Sequence, residues 1–176
     1  MRRLLWKGED EALVKLAGAG NLILEVGSFE GGSTICLCND NRNFVIALDP
    51  FIASQDLVDF TANVDMARTQ KAFIENIKGK GIAWVHAASG DALSFLRSSR
   101  LRFDRLFVDG CHIYDSVKSD CEFLHLVKPG GLAIFHDYAN AKLPDVRRAV
   151  DEYLESPTGP AVMKREIILS MLVAHL

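Results

Sequence analysis

The chain of 176 residues fits a single domain with room for a substantial core. Hydrophobic residues make up 49% and charged residues 24%, the balance of a globular protein, and no apolar run approaches the roughly 20 residues that cross a bilayer. A net charge of −3 with scattered basic residues lacks the footprint of a nucleic-acid binder. Neither a nucleic acid nor a membrane is therefore expected as a partner.

Residues 4–19 read as a leading helix with Leu13 and Leu16 on one face. The apolar start is too short for a signal peptide, and Glu9, Asp10 and Glu11 end it. Residues 21–26 form a buried strand that stops at Glu25-Val26-Gly27-Ser28-Phe29-Glu30-Gly31-Gly32-Ser33, a glycine-rich bend that opens a helix over 33–38. A strand, a glycine turn and a helix N-terminus together make a nucleotide-cofactor cradle. It is not the dinucleotide fingerprint, because Glu25 stands where G-x-G-x-x-G needs its first glycine. An acid there repels a pyrophosphate and suits a cofactor that brings a cation, such as the ammonium and sulfonium of S-adenosylmethionine.

A second strand over 43–48 ends at Asp49-Pro50, and 51–64 reads as a loop. An amphipathic helix follows over 65–77, with Met66, Phe73 and Ile77 as candidate core contacts. Residues 82–87 form a third strand, and Ser89-Gly90-Asp91-Ala92 starts the next helix. The fourth strand, 103–108, ends at Asp109-Gly110. Tyr114, Val117, Cys121 and Leu124 repeat at helical spacing, which predicts a helix over 114–127 stopped by Lys128-Pro129-Gly130-Gly131. A fifth strand over 132–135 ends at His136-Asp137, a helix spans 144–154 with proline in its first turn, and 161–176 forms an antiparallel hairpin. The four cysteines, Cys36, Cys38, Cys111 and Cys121, make neither a metal pair nor a disulfide pattern and read as small core residues of a reduced, cytoplasmic protein.

Strands alternating with helices mean βαβ units and a mainly parallel sheet. The acids Glu25, Asp49, Asp109 and Asp137 recur where strands one, two, four and five end. Ligands of open α/β sheets lie beyond those carboxyl ends, so the pattern gathers the acids on one rim.

Three segments carry a family resemblance: the Glu25–Ser33 bend, Val108-Asp109-Gly110-Cys111-His112-Ile113-Tyr114, and Lys128-Pro129-Gly130-Gly131 followed by Phe135-His136-Asp137-Tyr138. Over about residues 20–140 the chain resembles class I S-adenosylmethionine-dependent methyltransferases, in the branch with macrolide-sugar O-methyltransferases and cephalosporin-hydroxylase-like proteins. The resemblance implies one α/β domain over 1–176, with a leading helix in 1–20 and a Rossmann-like three-layer sandwich in 21–176. Its seven-stranded, mostly parallel sheet would end in the antiparallel hairpin.

The resemblance also implies roles. Glu25, Gly27, Ser28, Glu30, Gly31 and Ser33 would bind the amino-acid end of S-adenosyl-L-methionine, and Asp109 would join the cofactor site. Asp49 would accept from the ribose hydroxyls; the alternative is a turn cap before Pro50. Asp91 would meet the adenine amino group; the alternative is a helix N-cap. Asp109, His136 and Asp137 would hold magnesium or another divalent metal, the histidine favouring a softer ion than magnesium. His112 would be the base for the acceptor hydroxyl, or else a structural helix-start histidine. The implied activity is O-methylation of a small-molecule hydroxyl on a sugar or secondary metabolite, with a homodimer as one way to complete the acceptor pocket. A non-catalytic cofactor-binding module is the alternative, and an NAD-dependent oxidoreductase a less favoured one.

Overall fold

The computed structural model describes residues 5–52 and 64–176. Most of the loop expected over 51–64 lies outside the described residues. Seven strands run β1 Leu22–Val26, β2 Phe44–Leu48, β3 Ile82–Val85, β4 Phe103–Val108, β5 Val127–Phe135, β6 Lys164–Ile168 and β7 Met171–His175. They form one sheet in the order β3-β2-β1-β4-β5-β7-β6. The first five strands are parallel, and β7 runs antiparallel between β5 and β6.

Helices α1 Glu9–Ala17, α2 Gly32–Cys38 and α3 Met66–Ile77 cover one face of the sheet. Helices α4 Ser89–Ser99, α5 Tyr114–Asp120 and α6 Pro144–Glu155 cover the other. This is the three-layer α/β sandwich expected. Side chains alternate faces along a strand. Leu24 and Val26 accordingly join the core beneath α4 to α6, and Ile23 joins the core beneath α1 and α2. Both faces are covered, which is why β1 is almost wholly apolar.

Register places the site. Val26 pairs with Leu48 on one side and Val108 on the other, and Val108 pairs with Phe135. The four strands therefore end level. The ladder continues one step beyond them, with Gly27 N–H donating to Leu48 O at 2.8 Å, Asp109 N–H to Val26 O at 2.8 Å and His136 N–H to Val108 O at 3.0 Å. The residues that follow these strands, Gly27, Asp49, Asp109 and His136, reach the same rim.

Three elements differ from the expectation. The leading helix is shorter than 4–19, bounded by Gly8 at φ +88° and Gly18 at φ +63°. The helix expected over 114–127 is α-helical only to Asp120 and tightens into a 3-10 segment, Cys121–Leu126. Spacing of three residues suits a 3-10 turn as well as an α-helix, so Cys121 and Leu124 stay buried through the change. The Lys128-Pro129-Gly130-Gly131 run does not stop a helix. It forms the irregular start of β5, where Gly130 takes φ +79° and the register with β4 shifts.

Candidate active site

The bend after β1 rises over Glu25, which is fully buried and faces the helical layer of α2. Its carboxylate accepts three hydroxyl bonds, from Ser28 at 2.9 Å, Ser33 at 2.6 Å and Thr34 at 2.5 Å. Burial outweighs those bonds and pushes its pKa up to about 7. Glu25 thus holds the bend together from beneath and does not itself line the cleft, contrary to its expected place beside the cofactor.

This gives a signed prediction. The unfolded carboxyl titrates near 4.5 and the folded one near 7, so the native state holds the extra proton between them. Stability on this account falls as pH rises through that window, by about 3 kcal/mol once complete. Glu25→Gln should therefore gain on the wild type in urea midpoint from about pH 5 to about pH 8. Parallel profiles for the two proteins would contradict it.

A cleft of about 660 Å³ opens above the level strand ends, in the size range of small-molecule sites. Gly27, Ser28 and Ser33 line one side, and Leu48, Asp49 and Pro50 the next. Asp49 Oδ2 accepts the N–H groups of Ser28 and Phe29, both at 2.9 Å, and its Oδ1 accepts Phe51 N–H at 2.7 Å. The turn-cap reading of Asp49 and its position on the cleft wall are both present. Of roughly four lone-pair sites on a carboxylate, three are occupied, which leaves room for one further donor.

Three more expected cofactor contacts lie off the cleft wall. Glu30 is buried, and its carbonyl accepts from Asn76 at 2.9 Å. Gly31 turns the chain into α2 at φ +85°, against the Phe73 ring. Asp91 is exposed in the first turn of α4, where Ala88 is the N-cap, so it is neither in the cleft nor the cap. The wall at that point is Ala88 and Ser89.

The other end of the cleft holds an acid–histidine cluster. His136 Nδ1 lies 3.0 Å from Asp109 Oδ1 and 3.2 Å from Asp137 Oδ2. His112 Nε2 lies 3.5 Å from Asp137 Oδ2 and 3.8 Å from Asp109 Oδ1. Asp137 has φ +55°, a left-handed backbone uncommon for a residue with a side chain, and Asn140 Nδ2 donates to its Oδ1 at 2.9 Å. Burial alone would raise Asp109, but His136 and His112 beside it hold the carboxyl well below the usual range. Asp137 is lowered in the same way: His136 and Asn140 outweigh its burial. Burial alone would lower His136, yet the carboxylates around it raise it to about 12.

Two acids not singled out in the sequence belong here. Glu9, at the start of α1, is fully buried with Oε2 2.9 Å from His136 Nε2. Asp120, in α5, lines the cleft floor, where burial raises its carboxyl to about 6. Trp6 also reaches the cluster, its indole N–H donating to Asp137 Oδ1 at 3.3 Å. Asp120 could have been found from its place on the buried side of α5, one helical turn past Val117. Nothing local in the sequence marks Glu9.

Asp109, His136 and Asp137 each offer one ligand atom, all within 4.8 Å of one another. Two carboxylates and one imidazole, with His136 held from its far side by a carboxylate, match the donor chemistry of a first-row divalent ion.

Architecture and site together define an open α/β protein with a ligand cleft at its topological rim. A family model described as a methyltransferase domain matches residues 24–138, and the chain belongs to that family. No curated protein sequence matches the chain. Among solved structures, it resembles cofactor-bound Rv0187 from MTB, with TM-score 0.70 and 18% identity over 99% of this chain and 82% of that one. It also resembles the O-methyltransferase from Bacillus cereus in complex with SAH, with TM-score 0.66 and 18% identity over 98% and 82%. The SAH-bound Podospora anserina methyltransferase PaMTH1 gives TM-score 0.66 and 14% identity over 97% and 78%. These likenesses establish the shared class I methyltransferase fold. Among the described residues no helix is long and apolar enough to cross a membrane.

Proposed function

We propose that the protein transfers the methyl group of S-adenosyl-L-methionine to a hydroxyl of a small molecule, such as a sugar or secondary metabolite. One observation carries the reading. The Gly27–Ser33 bend, Asp49 and the acid–histidine cluster open into a single cleft, so a donor held at one end presents its reactive group to the other. SAH complexes and O-methyltransferases among the structural neighbours support the cofactor and the reaction type.

In this reading Ser28 and Ser33 face the amino-acid portion of the donor, and the open lone pair of Asp49 accepts a ribose hydroxyl. His112, at the mouth of the cluster, takes the proton of the acceptor hydroxyl onto its imidazole, whose buried Nε2 is turned to Asp109 and Asp137. The oxygen's electron pair forms the new bond to the methyl carbon as the carbon–sulfur bond breaks, leaving the neutral thioether. Asp109 and Asp137 stabilise the imidazolium so formed. Much of the rate gain comes from holding the two reactants in line. The trio Asp109, His136 and Asp137 would hold a divalent ion, which when bound would act as a Lewis acid towards the acceptor oxygen. A reducing, cytoplasmic setting is part of this reading.

Calorimetric titration of the metal-stripped protein with S-adenosylhomocysteine, with and without Mn²⁺ and with NADH as control, tests this. Micromolar binding of the homocysteine product is expected, with a separate heat on adding Mn²⁺. Binding of NADH alone would overturn the reading.

A further inference from the structure

Glu9 is 0% exposed, an unusual place for a carboxylate in the first turn of a helix that packs on the outer layer of the sheet. Its Oε2 accepts Trp6 N–H at 2.7 Å and lies 2.9 Å from His136 Nε2. Its Oε1 is held by the backbone N–H of Ser170 at 3.4 Å and by the Ser170 hydroxyl. The His136 ring is therefore gripped at Nε2 by an acid from the start of the chain, while Nδ1 faces Asp109 and Asp137.

We infer that Glu9 is a positioning residue of the reaction centre: by accepting the Nε2 proton of His136 it fixes which nitrogen keeps its proton when a divalent ion displaces the other, and so aims Nδ1 at an ion shared with Asp109 and Asp137. The inference rests on the metal reading above. An imidazole has two nitrogens, and the bond made by one decides which atom the other presents. The other groups bonded to Glu9, the Trp6 N–H and the N–H and hydroxyl of Ser170, are all donors, as a carboxylate requires. A carboxylate cannot donate, so the proton between Glu9 and His136 belongs to Nε2. Trp6 adds to the clamp from the same segment, its indole N–H fixing Asp137 Oδ1 and leaving Oδ2 towards His136 and His112. The chain before β1 thus builds the back wall of the cluster, orienting two of the three ligands.

Metal-stripped wild type, Glu9→Gln and Ser170→Ala are titrated with Mn²⁺, following the free-ion electron paramagnetic resonance signal, and separately with S-adenosylhomocysteine. Glu9→Gln should weaken Mn²⁺ binding by about 10- to 100-fold, the usual loss when a carboxylate behind a ligating histidine is removed. Ser170→Ala, which keeps the Glu9 Oε2 contact, should bind Mn²⁺ like the wild type. All three should bind S-adenosylhomocysteine alike, showing an intact cleft. Imidazole ¹⁵N spectra of the Zn²⁺-loaded wild type supply a reading that needs no variant: the His136 proton should be on Nε2. Unchanged Mn²⁺ affinity in Glu9→Gln, equal weakening in both variants, or a proton on Nδ1 in the loaded protein would each overturn the inference and leave the metal reading standing. No Mn²⁺ binding by the wild type would overturn both.

Discussion

Replacing Gly27 by alanine is expected to abolish binding of S-adenosylhomocysteine and to destabilise the domain by about 4 kcal/mol or more. Gly27 has φ +85°, and a Cβ there would lie 2.1 Å from the Asp109 carbonyl oxygen, 2.5 Å from its carbon and 2.7 Å from Gly110 Cα. The positive φ alone costs an L-residue about 1–2 kcal/mol. The clash is with backbone, which no rotamer change relieves. Nor can that backbone retreat, since Asp109 N–H is bonded to Val26 O and β4 is paired on both sides. Either the bend lifts off the sheet or β4 loses its place, and both open the cleft. Against a total stability of about 5–15 kcal/mol for a domain, the loss should be plain in the urea midpoint. Wild-type stability and affinity in the variant would show that the bend does not press on β4 as described.

His112→Ala is expected to slow methyl transfer by about 10²- to 10⁴-fold while leaving S-adenosylhomocysteine affinity within about 2-fold of the wild type. His112 stands between Asp109 and Asp137, at 3.8 and 3.5 Å, with its side chain 17% exposed and part of the cleft wall. Its ring borders the cleft, and its buried Nε2 faces two carboxylates that stabilise the charge it would gain. His136 has the carboxylates without the access, being 3% exposed and engaged at both nitrogens. The two histidines thus divide the work. The measurement is turnover on whichever hydroxyl acceptor the wild type methylates, with product affinity measured in parallel. Undiminished turnover would remove His112 as the base.

The rim of the site was legible because two simple patterns coincide. Each buried strand reads as an apolar run, and in a parallel sheet with level register the first polar residue after each run reaches the same edge. Asp49, Asp109 and Asp137 follow from that alone; Glu25, read the same way, lies beneath the bend. The roles along the bend were harder to read. Glu25 and Ser28 are three residues apart, yet one lies under the bend and the other faces the cleft, a difference set by positive φ at Gly27, Phe29 and Gly31 rather than by residue type. The resemblance places Asp91 at the adenine, but β3 ends at Val85, α4 begins only at Ser89, and Asp91 lies exposed in its first turn. Glu9 was illegible for a different reason. In the sequence it is one of three acids in a row, and its partner lies 127 residues away.

That separation matters for how the protein comes together. Glu9 meets His136 across 127 residues and Ser170 across 161, whereas the Glu25 hydroxyl contacts close within nine. Closing a long loop costs more entropy, and contacts distant in sequence form late. The bend can take shape with β1 and α2. The acid–histidine cluster must wait for the final hairpin to dock and for α1 to settle against it. The two ends of the site are thus tied down over different spans of chain: the bend partly by bonds within nine residues, the acid–histidine cluster by bonds that cross most of the sequence.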